Sequence, residues 1–321
     1  MSMYRFAQIL LIALTGFAFG SIAQETEKKT FYIDSTGNLY VSPSQPVQIY
    51  MGTKPDGSNA VLLRNINKNS TSLTWNGSGP QLMTHLDLYK GRKIRFELYA
   101  DGIPPQTSIN PKSLNVLEQK DAIIIQSGSI IELNATDEEA GVDKIFYSIN
   151  GSSFAPYNTP INLTDDGEYE IKVYSTDNLG NSEPVVSRKI IVDATPPLTE
   201  IAFMGDKYED IFSGRAALTL TASDRFGVAG TKVMIDSSGK WADYNQPLQT
   251  AGLAEGYHTL TWYSTDRAGN NEEPKNYRFF VDKTPPVVVE EIEGNSYMIG
   301  TREFSSGRSR LKVMAVDNKA G

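Results

Sequence analysis

Val281-Asp282-Lys283-Thr284-Pro285-Pro286 is a phrase this chain uses more than once. Val192-Asp193-Ala194-Thr195-Pro196-Pro197 matches it, and Ala100-Asp101-Gly102-Ile103-Pro104-Pro105 is a looser copy. The last prolines of the three runs fall 92 and 89 residues apart. Other segments keep step between them. Leu133-Asn134-Ala135-Thr136-Asp137 answers Leu220-Thr221-Ala222-Ser223-Asp224 and Val313-Met314-Ala315-Val316-Asp317. Tyr174-Ser175-Thr176-Asp177-Asn178-Leu179-Gly180-Asn181 returns as Tyr263-Ser264-Thr265-Asp266-Arg267-Ala268-Gly269-Asn270. Matches that keep one order and one period mark tandem modules. Each Asp-x-x-Pro-Pro run is then a joint. Paired prolines fix φ and favour extended chain, and at the start of an edge strand they cost no ladder bond. Such short, stiff joints predict modules set end to end as a rod.

Each module reads as β structure. Ile130–Ala135 and Ala217–Ala222 alternate apolar and polar residues and end before Asp. Tyr169, Ile171 and Val173 share one phase of a strand, and His258, Leu260 and Trp262 hold that phase in the next module. Asn150-Gly151 after Ile145–Ile149 is a hairpin signal. Ser187–Val192 and Asn276–Val281 close each module with a further strand. No segment has helix period and caps. About seven short strands in about ninety residues predict a β-sandwich. The fold class expected is therefore all-β, tandem immunoglobulin-like sandwiches arranged end to end.

The expected divisions are a signal peptide over 1–23, a divergent N-terminal sandwich over 24–104, repeats over 105–195 and 196–284, and the incomplete start of another over 285–321. Met1–Arg5 is positive, Phe6–Gly20 is apolar, and Ser21-Ile22-Ala23 puts small residues before Gln24, the pattern of a cleaved export signal. No other stretch is long and apolar enough to cross a bilayer as a helix. The chain has no cysteine, which excludes disulfides, thiolate metal sites and cysteine nucleophiles. With 30 Lys+Arg against 38 Asp+Glu the net charge is −8. That balance argues against nucleic acid and anionic membrane surfaces and suits divalent cations.

The runs Tyr147–Tyr157 and Asp166–Pro184, with the Asp-x-Thr-Pro-Pro joint, resemble the bacterial immunoglobulin-like repeats of surface and secreted proteins. The run Glu255–Glu273 is similar to the variety found in a leptospiral surface-adhesin group. The resemblance covers 106–286 and the opening of a further unit, and covers 25–105 only loosely. It implies an immunoglobulin-type sandwich and modules used in adhesins or as spacers in exported glycan-active enzymes. Fold alone does not choose between those roles.

No nucleophile motif, zinc-protease motif, phosphate loop or dinucleotide fingerprint occurs. Neither His85 nor His258 has a catalytic partner placed by a motif, and His258 is expected to pack in its strand, so the chain is read as not an enzyme. The aspartates carry the candidate chemistry. In an immunoglobulin-type sandwich the loops after the second and sixth strands lie where the chain enters. Asp101, Asp137 and Asp177 are therefore expected to converge at one module's entrance, and Asp193, Asp224 and Asp266 at the next. Asp282 and Asp317 would begin a third. Three carboxylates with loop carbonyls form a hard-oxygen shell for calcium. The competing role is structural, because Asp at a strand end caps its own turn. Trp241 and Tyr244, at the places of Phe154 and Tyr157, are candidate ligand-binding aromatics. The expectation set against that role is that Trp241 and Phe154 fold over an edge and close the core. Trp75 and Trp262 are expected in cores.

The reading is an exported, non-catalytic surface or secreted protein, an adhesin-like stalk whose partner is a protein or glycan. It belongs to a bacterial cell envelope, the cell surface or the medium. The alternatives are the non-catalytic N-terminal region of a larger exported glycan-active hydrolase and a carbohydrate-binding protein. A half sandwich at 287–321 also creates the expectation that the natural chain continues beyond Gly321.

Overall fold

The computed structural model describes residues 8–11, 28–52, 58–66, 69–87, 91–317 and 319. The export signal expected over 1–23 lies outside them, except that Gln8–Leu11 pairs antiparallel with Ile49–Gly52. The protein is all-β; among the described residues the single helical element is a 3₁₀ turn at Thr250–Gly252. It divides into two compact units, Met1–Val192 and Asp193–Gly321.

In the first unit, described residues within 28–100 enclose a core of their own. One sheet orders Phe31–Ile33, Leu39–Val41, Arg92–Ala100 and Gly79–Asp87. Val41, Ile49, Leu63, Leu73, Met83 and Leu98 fill its core, with Trp75 at the margin. The following repeat pairs a six-stranded sheet with a three-stranded one. The large sheet runs Ala155–Pro156, Val142–Ile149, Gly167–Asp177, Val186–Asp193, Ile123–Gln126, Val116–Glu118. The small sheet runs Ile161–Leu163, Ser129–Thr136, Gln106–Lys112. Alternation decides which face is inside: Ile131, Leu133, Ile171, Val173, Ile190 and Val192 all point to one core.

The second unit repeats the plan. Leu198–Met204, Ala217–Ser223 and Leu248–Gln249 form the small sheet. Ile211–Ser213 crosses to the large sheet and lies parallel to Phe280–Asp282. Phe212, Leu218, Leu260, Trp262, Phe279 and Val281 are the core. Between the two repeats the core exchanges volume across one strand pair. Tyr147 lies opposite Val173 in the first repeat, and Val233 lies opposite Trp262 in the second. A large residue faces a small one both times, with the order reversed, so the pair keeps roughly constant volume.

The hairpin turns also correspond. Asn150 and Gly151 have φ of 51° and 77°, as a two-residue type I′ turn requires. Asp236 and Ser237 occupy the second repeat's turn with φ of 54° and 48°.

Residues 287–316 form two ribbons. Val287–Glu293 pairs with Arg310–Val316 in the register used by Leu198–Met204 and Ala217–Ser223. The outward positions filled by Glu200 and Thr221 in the second repeat are filled here by Val289 and Met314, flanked by Val287 and Val316, all exposed. On the other face Leu311 and Val313 are exposed too.

Candidate functional site

Each repeat brings three aspartates together where the chain enters it. Asp101 follows the strand Arg92–Ala100, Asp137 follows Ser129–Thr136, and Asp177 ends Gly167–Asp177. In the second repeat Asp193, Asp224 and Asp266 hold the same places. One carboxylate oxygen from each member of a triad lies within 4.8 Å of the others. Asp101, Asp177, Asp193 and Asp266 are almost fully buried, while Asp137 and Asp224 are partly exposed. The expected convergence is thus present in both modules. Asp282 and Asp317 line one open cleft of about 590 Å³ with Arg215 and Lys283.

The carboxylates also organise their own loops. Asp101 Oδ1 accepts the Ile103 N–H at 2.9 Å, and its Oδ2 accepts the Ala140 N–H at 3.1 Å. Asp137 Oδ1 accepts Gly141 N–H, and Asp177 Oδ1 accepts those of Leu179 and Asn181, each at 2.8 Å. Asp193 caps Thr195, Asp224 caps Phe226 and Gly227, and Asp266 caps Gly269 and Asn270. Gly180 and Gly269 supply the positive φ these turns need, at 84° and 109°. Turn capping and convergence are therefore both present.

Burial pushes the Asp101 carboxyl up; the Ile103 and Ala140 N–H groups pull it back, and the Asp137 charge adds to the rise. Burial likewise raises Asp177, against the Asn181 hydrogen bonds and with the Asp101 charge. Like charges this close resist full ionisation. A divalent cation or a bound proton relieves that repulsion, and the oxygen-only donor set suits Ca²⁺.

Two residues per module support the clusters, and neither was singled out from sequence. Asn181 Nδ2 donates to Asp177 Oδ2 at 2.6 Å and to the Asp101 carbonyl at 3.3 Å. Asn270 Nδ2 donates to Asp266 Oδ2 at 2.8 Å and to the Asp193 carbonyl at 3.1 Å. Glu183 then clamps the module's first strand. It accepts the Thr107 N–H at 3.1 Å, the Ser175 N–H at 2.9 Å and the hydroxyls of both. Glu272 accepts the Thr199 N–H at 3.1 Å, the Ser264 N–H at 2.9 Å and the Thr199 hydroxyl. Burial works to raise Glu272, but hydrogen bonds from Thr199 and Lys275 outweigh it and hold the carboxyl below its usual range. The available signal was the shared spacing Asp-x-x-Gly-Asn-x-Glu.

Trp241 and Tyr244 do not share a face. Trp241, 40% exposed, sits edge-on to Tyr263 at 4.8 Å. Tyr263 points outward because its neighbour Trp262 points into the core. Phe154 meets Tyr174 in the same way. The expectation that Trp241 and Phe154 close the core is therefore corrected: both lie on the outer face of the large sheet. Tyr244 packs on the core, and its hydroxyl accepts the Leu220 N–H at 2.9 Å. His85 Nδ1 accepts the Arg64 N–H at 3.1 Å.

No family model matches the chain, and no curated protein sequence matches it. Among solved structures, fibronectin(III)-like modules of Clostridium thermocellum CbhA are 17% identical, covering 55% of this chain and 95% of theirs at TM-score 0.31. A 1.5-MDa bacterial ice-binding adhesin is 12% identical over 76% of this chain and 94% of its own, at TM-score 0.35. A tetra-tandem repeat from the extending region of a large adhesion protein is 13% identical over 92% and 83%, at TM-score 0.25. By its own topology the chain is a tandem array of immunoglobulin-like β-sandwiches.

Proposed function

We propose that this chain is an exported, non-catalytic interaction protein, an adhesin-like stalk of immunoglobulin-like modules. The supporting observation is the repeated entrance network of three aspartates, an asparagine and a glutamate. In each module it secures the incoming joint to the sixth-strand loop and the first strand. A stalk that displays a binding surface under load requires that kind of anchorage. The motif runs Asp166–Pro184 and Glu255–Glu273 favour kinship with the leptospiral surface-adhesin repeats.

Cell fractionation followed by blotting with an antibody against residues 106–286 tests this. Surface association supports the stalk. Release into the medium at a mass well above 35.4 kDa supports a spacer region of a secreted hydrolase instead. Retention in the cytoplasm contradicts export.

A second reading concerns the carboxylate clusters. We infer that each triad takes a Ca²⁺ ion, which removes the repulsion among three close carboxylates and stiffens the joint. The favouring observation is that two successive modules gather three carboxylates within 4.8 Å, with two of each three almost wholly buried. Binding of Ca²⁺ by the mature chain, lost on Asp177→Asn with Asp266→Asn, tests it.

A further inference from the structure

His258 has a role outside the carboxylate clusters. Its side chain is nearly buried in the second repeat. Nδ1 lies 2.7 Å from Asp236 Oδ2, and Nε2 lies 2.8 Å from the Ala254 carbonyl oxygen. A carbonyl only accepts, and an ionised carboxylate only accepts. Both ring nitrogens therefore carry protons, and the ring is an imidazolium. A neutral ring would turn one lone pair toward an acceptor at hydrogen-bond distance.

The two acceptors belong to separate pieces of chain. Asp236 opens the turn that holds positive φ at two consecutive non-glycine residues, and its Oδ1 also accepts the Thr259 N–H at 2.9 Å. Ala254 lies in the loop 250–255. The joint grips that same loop: Lys283 Nζ donates to the Ala251 and Leu253 carbonyls at 2.9 and 2.5 Å. Thr284 Oγ1 donates to the Glu255 carboxylate at 3.0 Å.

We propose that the His258 imidazolium is a pH-operated latch joining the 236–237 turn to the 250–255 loop and, through Lys283 and Thr284, to the Asp282–Pro286 joint. The charged groups around the ring are Asp236 on the turn and Lys283 on the joint, while Phe279 faces it from the neighbouring strand. Burial and the Lys283 charge favour the neutral ring. The Ala254 carbonyl and the Asp236 carboxylate outweigh them and raise the ring above its ordinary value. Loss of the proton then leaves a buried acceptor without its donor and frees the loop.

The first repeat supplies an internal control. Tyr169 stands in the place of His258 and donates its hydroxyl to the Asp165 carbonyl at 3.0 Å. Asn150 replaces Asp236, and its Oδ1 accepts the Glu170 N–H at 2.8 Å. A phenol and an amide thus stand where the second repeat has its imidazole and carboxylate.

Amide exchange on the whole mature chain, with the His258 ring followed by NMR, tests the latch. The ring titrates above 6.5, the ordinary imidazole value. As pH crosses that titration, residues 251–255 and 283–284 lose about tenfold protection beyond the change in intrinsic exchange, the signature of one unsatisfied buried polar group. Residues 163–167 of the first repeat show no such step. His258→Tyr abolishes the step, and Asp236→Asn moves it to lower pH. Should His258→Tyr not fold, Asp236→Asn decides. Protection at 251–255 that is flat across the titration, a ring titrating below 6.5, or a step surviving in His258→Tyr overturns the proposal.

Discussion

The side-chain amide of Asn270 is hydrogen-bonded to the backbone carbonyl of Asp193, 77 residues earlier, at 3.1 Å. The same nitrogen also reaches Asp266 Oδ2. One buried amide thus holds the incoming joint against the sixth-strand loop. Asn270→Ala is expected to cost about 1–3 kcal/mol, the penalty for deleting a partner from a buried polar network. Asn270→Asp costs more, because it sets a further carboxylate beside Asp266. Urea unfolding of the protein measures both. Equal stabilities for the two variants would show that charge at this position is irrelevant.

Glu272 and Asp236 give the second repeat an acid limb. Hydrogen bonds hold both carboxyls below their usual values of 4.5 and 3.8. Their contribution is therefore complete above those values and is lost as pH falls through the lowered ones. His258 works in the opposite sense: its contribution is complete below 6.5 and is lost as pH rises through its raised value. The second repeat is accordingly most stable between the carboxyl and imidazole ranges. Glu272→Gln should flatten the acid limb and leave the alkaline one, as read by melting temperature against pH. An unchanged acid limb would remove Glu272 from the account.

The two hairpin turns predict substitutions of opposite sign. Ser237 holds a φ of 48° where the first repeat has Gly151 at 77°. Left-handed backbone costs a non-glycine residue about 1 kcal/mol. Ser237→Gly should stabilise the second repeat by about that much, partly offset by glycine's extra chain entropy. Gly151→Ser should destabilise the first repeat. Two shifts of the same sign in chemical denaturation would contradict this.

The exchanged core pair predicts a rescue. Val173→Trp alone overpacks the first repeat against Tyr147 and should cost about 1–3 kcal/mol. Adding Tyr147→Val recreates the pairing of Val233 with Trp262 and should recover much of that loss. A double-mutant cycle with no coupling between the positions would show that the two sites accommodate volume independently.

Much of this architecture was legible because it was written twice. Alternation placed Ile171 and Val173, then Leu260 and Trp262, on buried faces, and the Asp spacing brought both carboxylate triads together. The supports were harder to see. The repeated spacing marks Asn270 and Glu272, but it does not show that Asp193 and Thr199, more than seventy residues away, fold onto them. Trp241 was misplaced for a different reason. It flanks a two-residue strand, Ala242–Asp243, too short for alternation to tell the outer face from the core.

The carboxylate clusters are tested most directly by melting the protein with and without millimolar Ca²⁺, beside the Asp177→Asn/Asp266→Asn double variant. Ca²⁺ at a hundredfold over its dissociation constant adds about 2.7 kcal/mol per site. Ca²⁺ is expected to raise the wild-type melting temperature by several degrees, and a chelator to reverse the rise. The double variant should melt at one temperature in both conditions. A wild-type chain whose melting is indifferent to Ca²⁺ would contradict the cation reading and leave the aspartates as turn caps alone.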